Sequence, residues 1–84
     1  MRIEYTETAR KQLRKLDKTM QKRILDYMDE VSLLGNPRSR GKALVENMRG
    51  LWCYRVGDYR VICEIQDERI LISALKIGHR KDTY

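Results

Sequence analysis

The sequence predicts an α+β fold in which a helical hairpin packs on one face of a small, twisted, mostly antiparallel sheet. Apolar residues recur at helical spacing in the N-terminal half, and short β-rich runs separated by turns fill the C-terminal half. A short alternating segment precedes both, so the predicted order is β-α-α-β-β-β. An arrangement compatible with this order packs both helices on one face of the sheet and leaves the other face open. Residues 1–84 are expected to form a single domain.

The first predicted elements are a short strand and a helix. Residues 2–5 alternate polar and apolar side chains, as a strand with one buried face does. Thr6 or Thr8 can cap the following helix, because a hydroxyl oxygen accepts a hydrogen bond from an N–H of the first turn. The apolar positions of this helix are Ala9, Leu13 and Leu16.

A second helix carries the clearest apolar stripe of the chain. It is predicted to start at Asp17 or Thr19, and the short break before it favours an antiparallel hairpin. Gly35 is expected to end it in a left-handed conformation, and Pro37 prevents its continuation. The stripe consists of Met20, Ile24, Tyr27, Met28, Val31 and Leu34.

Three strands are predicted after residue 50. Residues 51–56 and 59–65 form a hairpin around the tight Gly57-Asp58 turn. Residues 70–77 form a third strand that is apolar on both faces, as a central strand is. Residues 36–42 are predicted to be a polar loop, and the segment that follows this loop has too few apolar positions for an assignment.

The charge balance limits the classes of function. The chain has 18 Lys and Arg against 12 Asp and Glu, a net charge of +6. This favours a polyanion or an acidic protein partner, with a merely basic solvated surface as the alternative. Two cysteines are too few for a disulfide scaffold or a zinc site, so reduced thiols, no metal and no cofactor are expected. No stretch approaches the roughly 20 apolar residues that span a bilayer, so a cytoplasmic protein without membrane contact is expected.

Strand alternation predicts a basic open face. Arg60 points to this face if the apolar residues of its strand meet the helices. Arg55 joins it if the apolar residues of the preceding strand do the same. The segment after the third strand brings His79, Arg80 and Tyr84 near by. The apolar set that should meet the helices in the second hairpin strand is Tyr59, Val61, Cys63 and Ile65.

These groups suit cleavage of an RNA phosphodiester by its own 2′-hydroxyl. That reaction removes the 2′-OH proton, stabilises charge on the phosphorane oxygens and protonates the leaving 5′-oxygen. Arginine suits the second role through its fork of donors, and imidazole titrates in the range needed for proton transfer. Structural alternatives stay open at this point, since Arg60 could pair with Glu64 and His79 could be an ordinary surface histidine.

Two segments carry a resemblance to a known family. Residues 51–62, LWCYRVGDYRVI, and residues 76–84, KIGHRKDTY, are similar to the RelE branch of the RelE/ParE toxin superfamily. The likeness covers essentially the whole chain and includes the Asn36-Pro37 break after the second helix. It implies a toxin of a type II toxin–antitoxin pair, in a bacterial or archaeal cytoplasm, that enters the ribosomal A site and cuts the mRNA codon there.

The resemblance implies roles for individual residues. Arg60 matches the strand arginine that contacts the scissile phosphate, and Arg55 matches a basic strand position of the same site. Arg80 matches an arginine assigned to transition-state stabilisation or to protonation of the leaving group. Tyr84 resembles a tyrosine that stacks on or orients the substrate.

The chain departs from the family pattern on the strand before the hairpin. Some members carry two lysines there, whereas the same-face positions of this chain hold Arg55 and Cys53. The identity of the general base therefore stays open, with His79 as a candidate. Further contacts to RNA are expected from Lys81, Arg38, Arg40 and Lys42.

The resemblance also implies partners and rival functions. The implied partners are a RelB-like antitoxin, the ribosome with its RNA and mRNA, and operator DNA contacted only through the antitoxin complex. One rival is the ParE branch, which poisons DNA gyrase and does not cleave RNA. Another is a non-enzymatic co-repressor that acts with its antitoxin. A free-standing ribonuclease is a third rival, and the sparse site argues against it, because such a site needs a partner that positions the substrate.

Overall fold

Two helices cover one face of a five-stranded sheet in the computed structural model of the chain, which describes residues 1–45, 49–79 and 81. The elements are β1 (Arg2–Tyr5), α1 (Glu7–Arg14), α2 (Lys18–Leu33), β2 (Lys42–Ala43), β3 (Trp52–Val56), β4 (Tyr59–Gln66) and β5 (Leu71–His79). The sheet order is β1-β5-β4-β3-β2, with β1 parallel to β5 and the other neighbours antiparallel. The predicted α+β fold is confirmed.

Capping side chains set where both helices begin. The Thr6 hydroxyl accepts a hydrogen bond from the Ala9 N–H at 3.1 Å, and the Asp17 carboxylate accepts one from the Met20 N–H at 2.8 Å. The first helix is therefore capped by Thr6 and not Thr8, and the second by Asp17 and not Thr19. Among the described residues, neither α1 nor α2 combines the length and the apolar character that a membrane-spanning helix needs.

The end of α2 differs from the prediction. The helix stops at Leu33, and the next residue, Leu34, is already extended, with φ −70° and ψ 146°. Gly35 does not adopt the left-handed conformation expected of it, since the described glycines with positive φ are Gly41, Gly50 and Gly57. The chain leaves the helix through an extended residue instead, so no left-handed cap is needed.

Strand β2 joins the last residue of the predicted loop, Lys42, to the first residue of the segment that was left unassigned, Ala43. It is only two residues long and pairs with β3, Lys42 opposite Cys53 and Ala43 opposite Trp52. Two residues cannot display a strand periodicity, which is why the sequence missed it. Strand β5 continues to His79, two residues beyond the predicted end, and lies between β1 and β4 as the predicted central strand.

Both faces of the sheet carry apolar clusters of unequal size. The large cluster joins the helices to the inner faces of β3, β4 and β5 and includes the completely buried Tyr54. The opposite face was predicted to be open, but a small cluster of Leu44, Cys53 and Ile62, with Leu51 packed against it, covers part of it. The outer face is exposed on both sides of this cluster, at Arg55 toward the β3–β4 turn and at Glu64 toward the other end of β4.

Candidate nucleic-acid interface

Arg55 and Arg60 lie directly opposite each other on the outer face of the β3–β4 hairpin. Cross-strand partners point to the same face, so the predicted meeting of these two residues occurs. The turn between the strands has positive φ at Gly57 (59°) and not at Asp58, the pattern of a type II′ turn. A two-residue turn sets this register and therefore places one guanidinium beside the other.

A groove of about 190 Å³ runs across the outer face next to this pair. It is lined by Gly41, Lys42, Cys53, Arg55 and Arg60, so residues of three consecutive strands and the preceding loop contribute to it. Of the four predicted RNA-contacting residues, Lys42 is the one that shares this groove with the two arginines. Forked guanidinium donors beside an ammonium suit the oxygens of phosphate groups.

Lys76 is a further cation on the outer face that the sequence reasoning did not single out. It lies opposite Ile62 on β5, and Gly78, two residues on, lies opposite Arg60. The pairing of β4 with β5 shifts between Ile62 and Cys63, where one strand holds an extra residue. Counting alternation along residues 70–77 therefore cannot assign Lys76 to a face. A lysine within an otherwise apolar strand could still have marked this position as a candidate.

The loop before β2 is held tightly against β3. The Trp52 indole N–H donates to the Arg40 carbonyl at 2.7 Å. At Gly41, φ is +77°, and a Cβ atom would lie 2.4 Å from the Cys53 carbonyl oxygen and 2.7 Å from Trp52 Nε1. Only glycine fits this position without displacing β3. The loop thus delivers Lys42 to the groove in a defined backbone position.

Arg38 and Arg40 do not join the groove. Arg38 donates two hydrogen bonds of 2.9 Å to the two carboxylate oxygens of Asp67, and this contact holds the pKa of Asp67 below its usual range. Asp67 follows β4 at the end remote from Arg60, about 20 Å away along the strand. The Arg40 guanidinium lies 5.5 Å from the centre of the Tyr27 ring and 3.5 Å from Glu30, both on α2.

His79 faces the helix side of the sheet, contrary to the expected placement beside Arg60. It is the cross-strand partner of Tyr59, and the two rings meet edge to face with centroids 5.6 Å apart. Tyr59 packs against the large apolar cluster, so the shared face is the inner one. Because β5 continues through His79, strand alternation carries its ring away from the groove.

The C-terminal residues of the predicted site are described only in part. Lys81 is exposed, and its N–H donates to His79 Nδ1 at 3.3 Å. Arg80 and Tyr84 lie outside the described residues. Within residues 1–45, 49–79 and 81, no three His, Cys, Asp or Glu side chains are grouped so that they could hold a metal ion.

Comparison with known proteins places the whole chain in one family. Residues 3–84 match the family model described as the ParE toxin of type II toxin–antitoxin system, parDE. The chain is 30% identical to toxin RelG of Mycobacterium tuberculosis (strain ATCC 25618 / H37Rv) over 82 residues, which cover 98% of this chain and 93% of that protein.

Solved structures agree with this placement. The structure of the toxin–antitoxin complex RelBE2 from Mycobacterium tuberculosis contains a chain that superposes with a TM-score of 0.84 at 30% identity, covering 96% of this chain and 92% of that one. A chain of the archaeal RelE–RelB complex from Pyrococcus horikoshii OT3 superposes with a TM-score of 0.74 at 26% identity, covering 98% and 97%.

Proposed function

This chain belongs to the RelE/ParE toxin superfamily as a RelE-type toxin of a type II toxin–antitoxin system, and on that premise we propose that it is a ribosome-dependent endoribonuclease. It cuts mRNA in the ribosomal A site and so inhibits translation. The single observation that carries the proposal is the groove in which Arg55, Arg60 and Lys42 meet on the outer sheet face.

The cleavage proceeds by attack of the 2′-oxygen on the adjacent phosphorus. The 2′-OH proton passes to a general base as the O2′–P bond forms. The P–O5′ bond then breaks, which leaves a 2′,3′-cyclic phosphate, and the 5′-oxygen takes up a proton as it leaves. Negative charge builds on the non-bridging oxygens during attack, and guanidinium groups fixed at that position stabilise it. Arg60 contacts the scissile phosphate in this proposal, with Arg55 opposite it on β3 as the second donor fork.

Two further roles, protonation of the leaving group and orientation of the substrate, are assigned to the C-terminal segment. By resemblance, Arg80 stabilises the transition state or protonates the leaving oxygen, and Tyr84 stacks on or orients the substrate. His79 is assigned a positioning role rather than that of general base, because its ring contacts Tyr59 on the inner face and its Nδ1 accepts from Lys81. Through these contacts it links Lys81 to the end of β5.

The proposed partners follow from the relatives and from the charge. The two solved structures described above are toxin–antitoxin complexes, which supports a RelB-like antitoxin for this chain. We propose that it binds operator DNA only within that complex. The net charge of +6 favours binding to ribosomal RNA, and salt should weaken it.

Primer extension on a defined mRNA, with and without programmed ribosomes, tests the proposal. Arg60→Ala and Arg80→Ala should each lower the cleavage rate by about 10²- to 10³-fold, the usual effect of removing one donor to a transition-state oxyanion. Lys22→Ala, which removes an exposed cation paired with Asp26 on α2, is the matched control and should cut normally. Absence of A-site cleavage by the wild type would overturn the proposal.

A second candidate function rests on a different observation, since the matching family model is named after ParE. A ParE-like protein would inhibit DNA gyrase and leave mRNA intact. A supercoiling assay with purified gyrase separates the two functions. Gyrase inhibition that survives Arg60→Ala, together with intact A-site codons, would favour this alternative. Inactivity in both assays would instead favour a co-repressor role with the antitoxin.

A further inference from the structure

The outer face of β3 offers two positions to the groove, and only one of them is a cation. Arg55 occupies one, and Cys53, a short thiol side chain with 3% of its surface exposed, occupies the other. Across the hairpin, Cys53 lies opposite Ile62, so β4 supplies no cation at this level either. β3 and β4 therefore supply no positive charge in this row of the sheet, and Lys76 of β5 lies on the far side of Ile62 from Cys53.

Strand β2 changes that, because Lys42 is the direct partner of Cys53 on its other side. Antiparallel partners have Cβ atoms about 4.5–5.5 Å apart on the same face. A lysine ammonium on its four-carbon stem can therefore extend over the short Cys53 side chain toward Arg55. Lys42 and Cys53 both line the groove that contains the two arginines.

The backbone around Lys42 is held on both sides. Before it, Gly41 packs against β3 so closely that a Cβ atom would collide with the Cys53 carbonyl. After it, the Leu44 N–H donates to the Leu51 carbonyl at 3.0 Å, and the Leu44 side chain is buried with Cys53 and Ile62. Because the backbone is already held, ligand binding has to order only the Lys42 side chain.

We propose that Lys42 supplies from β2 the cation that β3 lacks at position 53, and that its ammonium contacts a phosphate of the RNA bound in the groove. The inference rests on the proposed function and refines it, because the RNA site is then formed by residues of three strands. The two-residue edge strand β2 thereby supplies a positive charge that no side chain of β3 provides at position 53.

Charge relocation tests this inference on programmed ribosomes. Lys42→Met should lower the single-turnover cleavage rate by about 10- to 100-fold, the effect of one hydrogen bond to a charged group. Lys22→Met makes the same charge change on α2 and should stay within about twofold of the wild type. The double variant Lys42→Met/Cys53→Lys should recover most of the lost rate, because it returns an ammonium to the groove from β3.

Two outcomes would overturn the inference. Lys42→Met could cleave as fast as Lys22→Met, or the double variant could be as slow as Lys42→Met although circular dichroism shows it folded. If the double variant does not fold, Lys42→Arg decides instead. Near-wild-type cleavage by Lys42→Arg supports a charge role, and cleavage as slow as that of Lys42→Met contradicts it.

A binding measurement keeps this inference separate from the proposed function. If the wild type cleaves nothing, the proposed function fails, and affinity for a short single-stranded RNA is measured across a salt series. Losing one phosphate contact should reduce the slope of log affinity against log salt by about 0.7 in Lys42→Met. Equal slopes for Lys42→Met and the wild type would reject the phosphate contact.

Discussion

Arg55 and Arg60 are direct cross-strand partners, so two guanidinium side chains share one face of the hairpin beside its turn. Like charges directly opposite each other destabilise an antiparallel pair. The sheet therefore carries an electrostatic cost at the position where the proposed function needs positive charge. Bound phosphate would offset that cost, because its oxygens attract both groups at once.

Removing one member of this pair should separate stability from activity. Arg55→Gln is expected to raise the free energy of unfolding by a few tenths to about 1 kcal/mol, because the cross-strand repulsion disappears. The same change should lower A-site cleavage. Urea unfolding at low salt measures the first effect, and primer extension measures the second.

Lys76→Gln is the matched control for stability. Lys76 is on the same outer face, but its β4 partner is the apolar Ile62, so no opposed charge is relieved. The free energy of unfolding should stay within about 0.5 kcal/mol of the wild type. An Arg55→Gln gain that persists unchanged in 1 M salt would contradict an electrostatic origin, since salt screens exposed charges.

Alanine substitution at three glycines should lower the free energy of unfolding by graded amounts and so test the close packing of Gly41 against β3. Gly41→Ala should destabilise the fold by about 1–3 kcal/mol, because the position combines a positive φ with a collision against β3. Gly50 has φ +90° with nothing within 4 Å of an added Cβ, so Gly50→Ala isolates the backbone strain. Gly35→Ala has neither problem and should be neutral. Urea midpoints that rank otherwise would refute the close approach at Gly41.

Two buried tyrosine hydroxyls should respond oppositely to removal. The Tyr54 hydroxyl donates to the Pro37 carbonyl at 2.7 Å, so Tyr54→Phe should cost about 1–3 kcal/mol by leaving that carbonyl unsatisfied. The Tyr5 hydroxyl is buried and has no hydrogen-bond partner among the described residues. Tyr5→Phe should therefore stabilise the fold by about 1 kcal/mol. Thermal or urea unfolding decides, and a loss on Tyr5→Phe would indicate a partner for that hydroxyl.

Stability should fall at alkaline pH. Burial, with a smaller contribution from Asp29, raises the pKa of Tyr5 to about 12, and burial also raises the pKa values of Tyr54 and Cys63. In the unfolded chain these groups lose their protons near pH 9–10, so above that range the unfolded state binds fewer protons than the folded state. Each group can therefore lower the free energy of unfolding by up to about 1.4 kcal/mol per pH unit. The effect of Tyr5 should be smaller, because its ring is only partly buried.

Urea midpoints at pH 8 and pH 10.5 measure this loss. Tyr5→Phe and Cys63→Ala each delete one of the contributing groups, so each should show a smaller drop between the two pH values than the wild type. A wild-type midpoint that does not change over this range would contradict the assignment of these groups as buried and neutral.

Local signals predicted most of the architecture. The Thr6 and Asp17 caps, the α2 stripe and the Gly57-Asp58 turn each depend on neighbouring residues, so a single sequence displays them. The predicted meeting of Arg55 and Arg60 succeeded for the same reason, because a two-residue turn sets the register of the strands it joins.

The composition of the site depended on pairings that no local signal encodes. Lys42 joins the groove because β2 pairs with β3, and Lys76 joins the outer face because the register of β4 and β5 shifts. His79 leaves that face because β5 continues as a strand through it. Local sequence signals were thus sufficient to predict every strand and helix except β2, their order and one arginine pair. Which lysines accompany that pair depended on the tertiary structure, because contacts between distant segments set edge pairing, strand shifts and strand length.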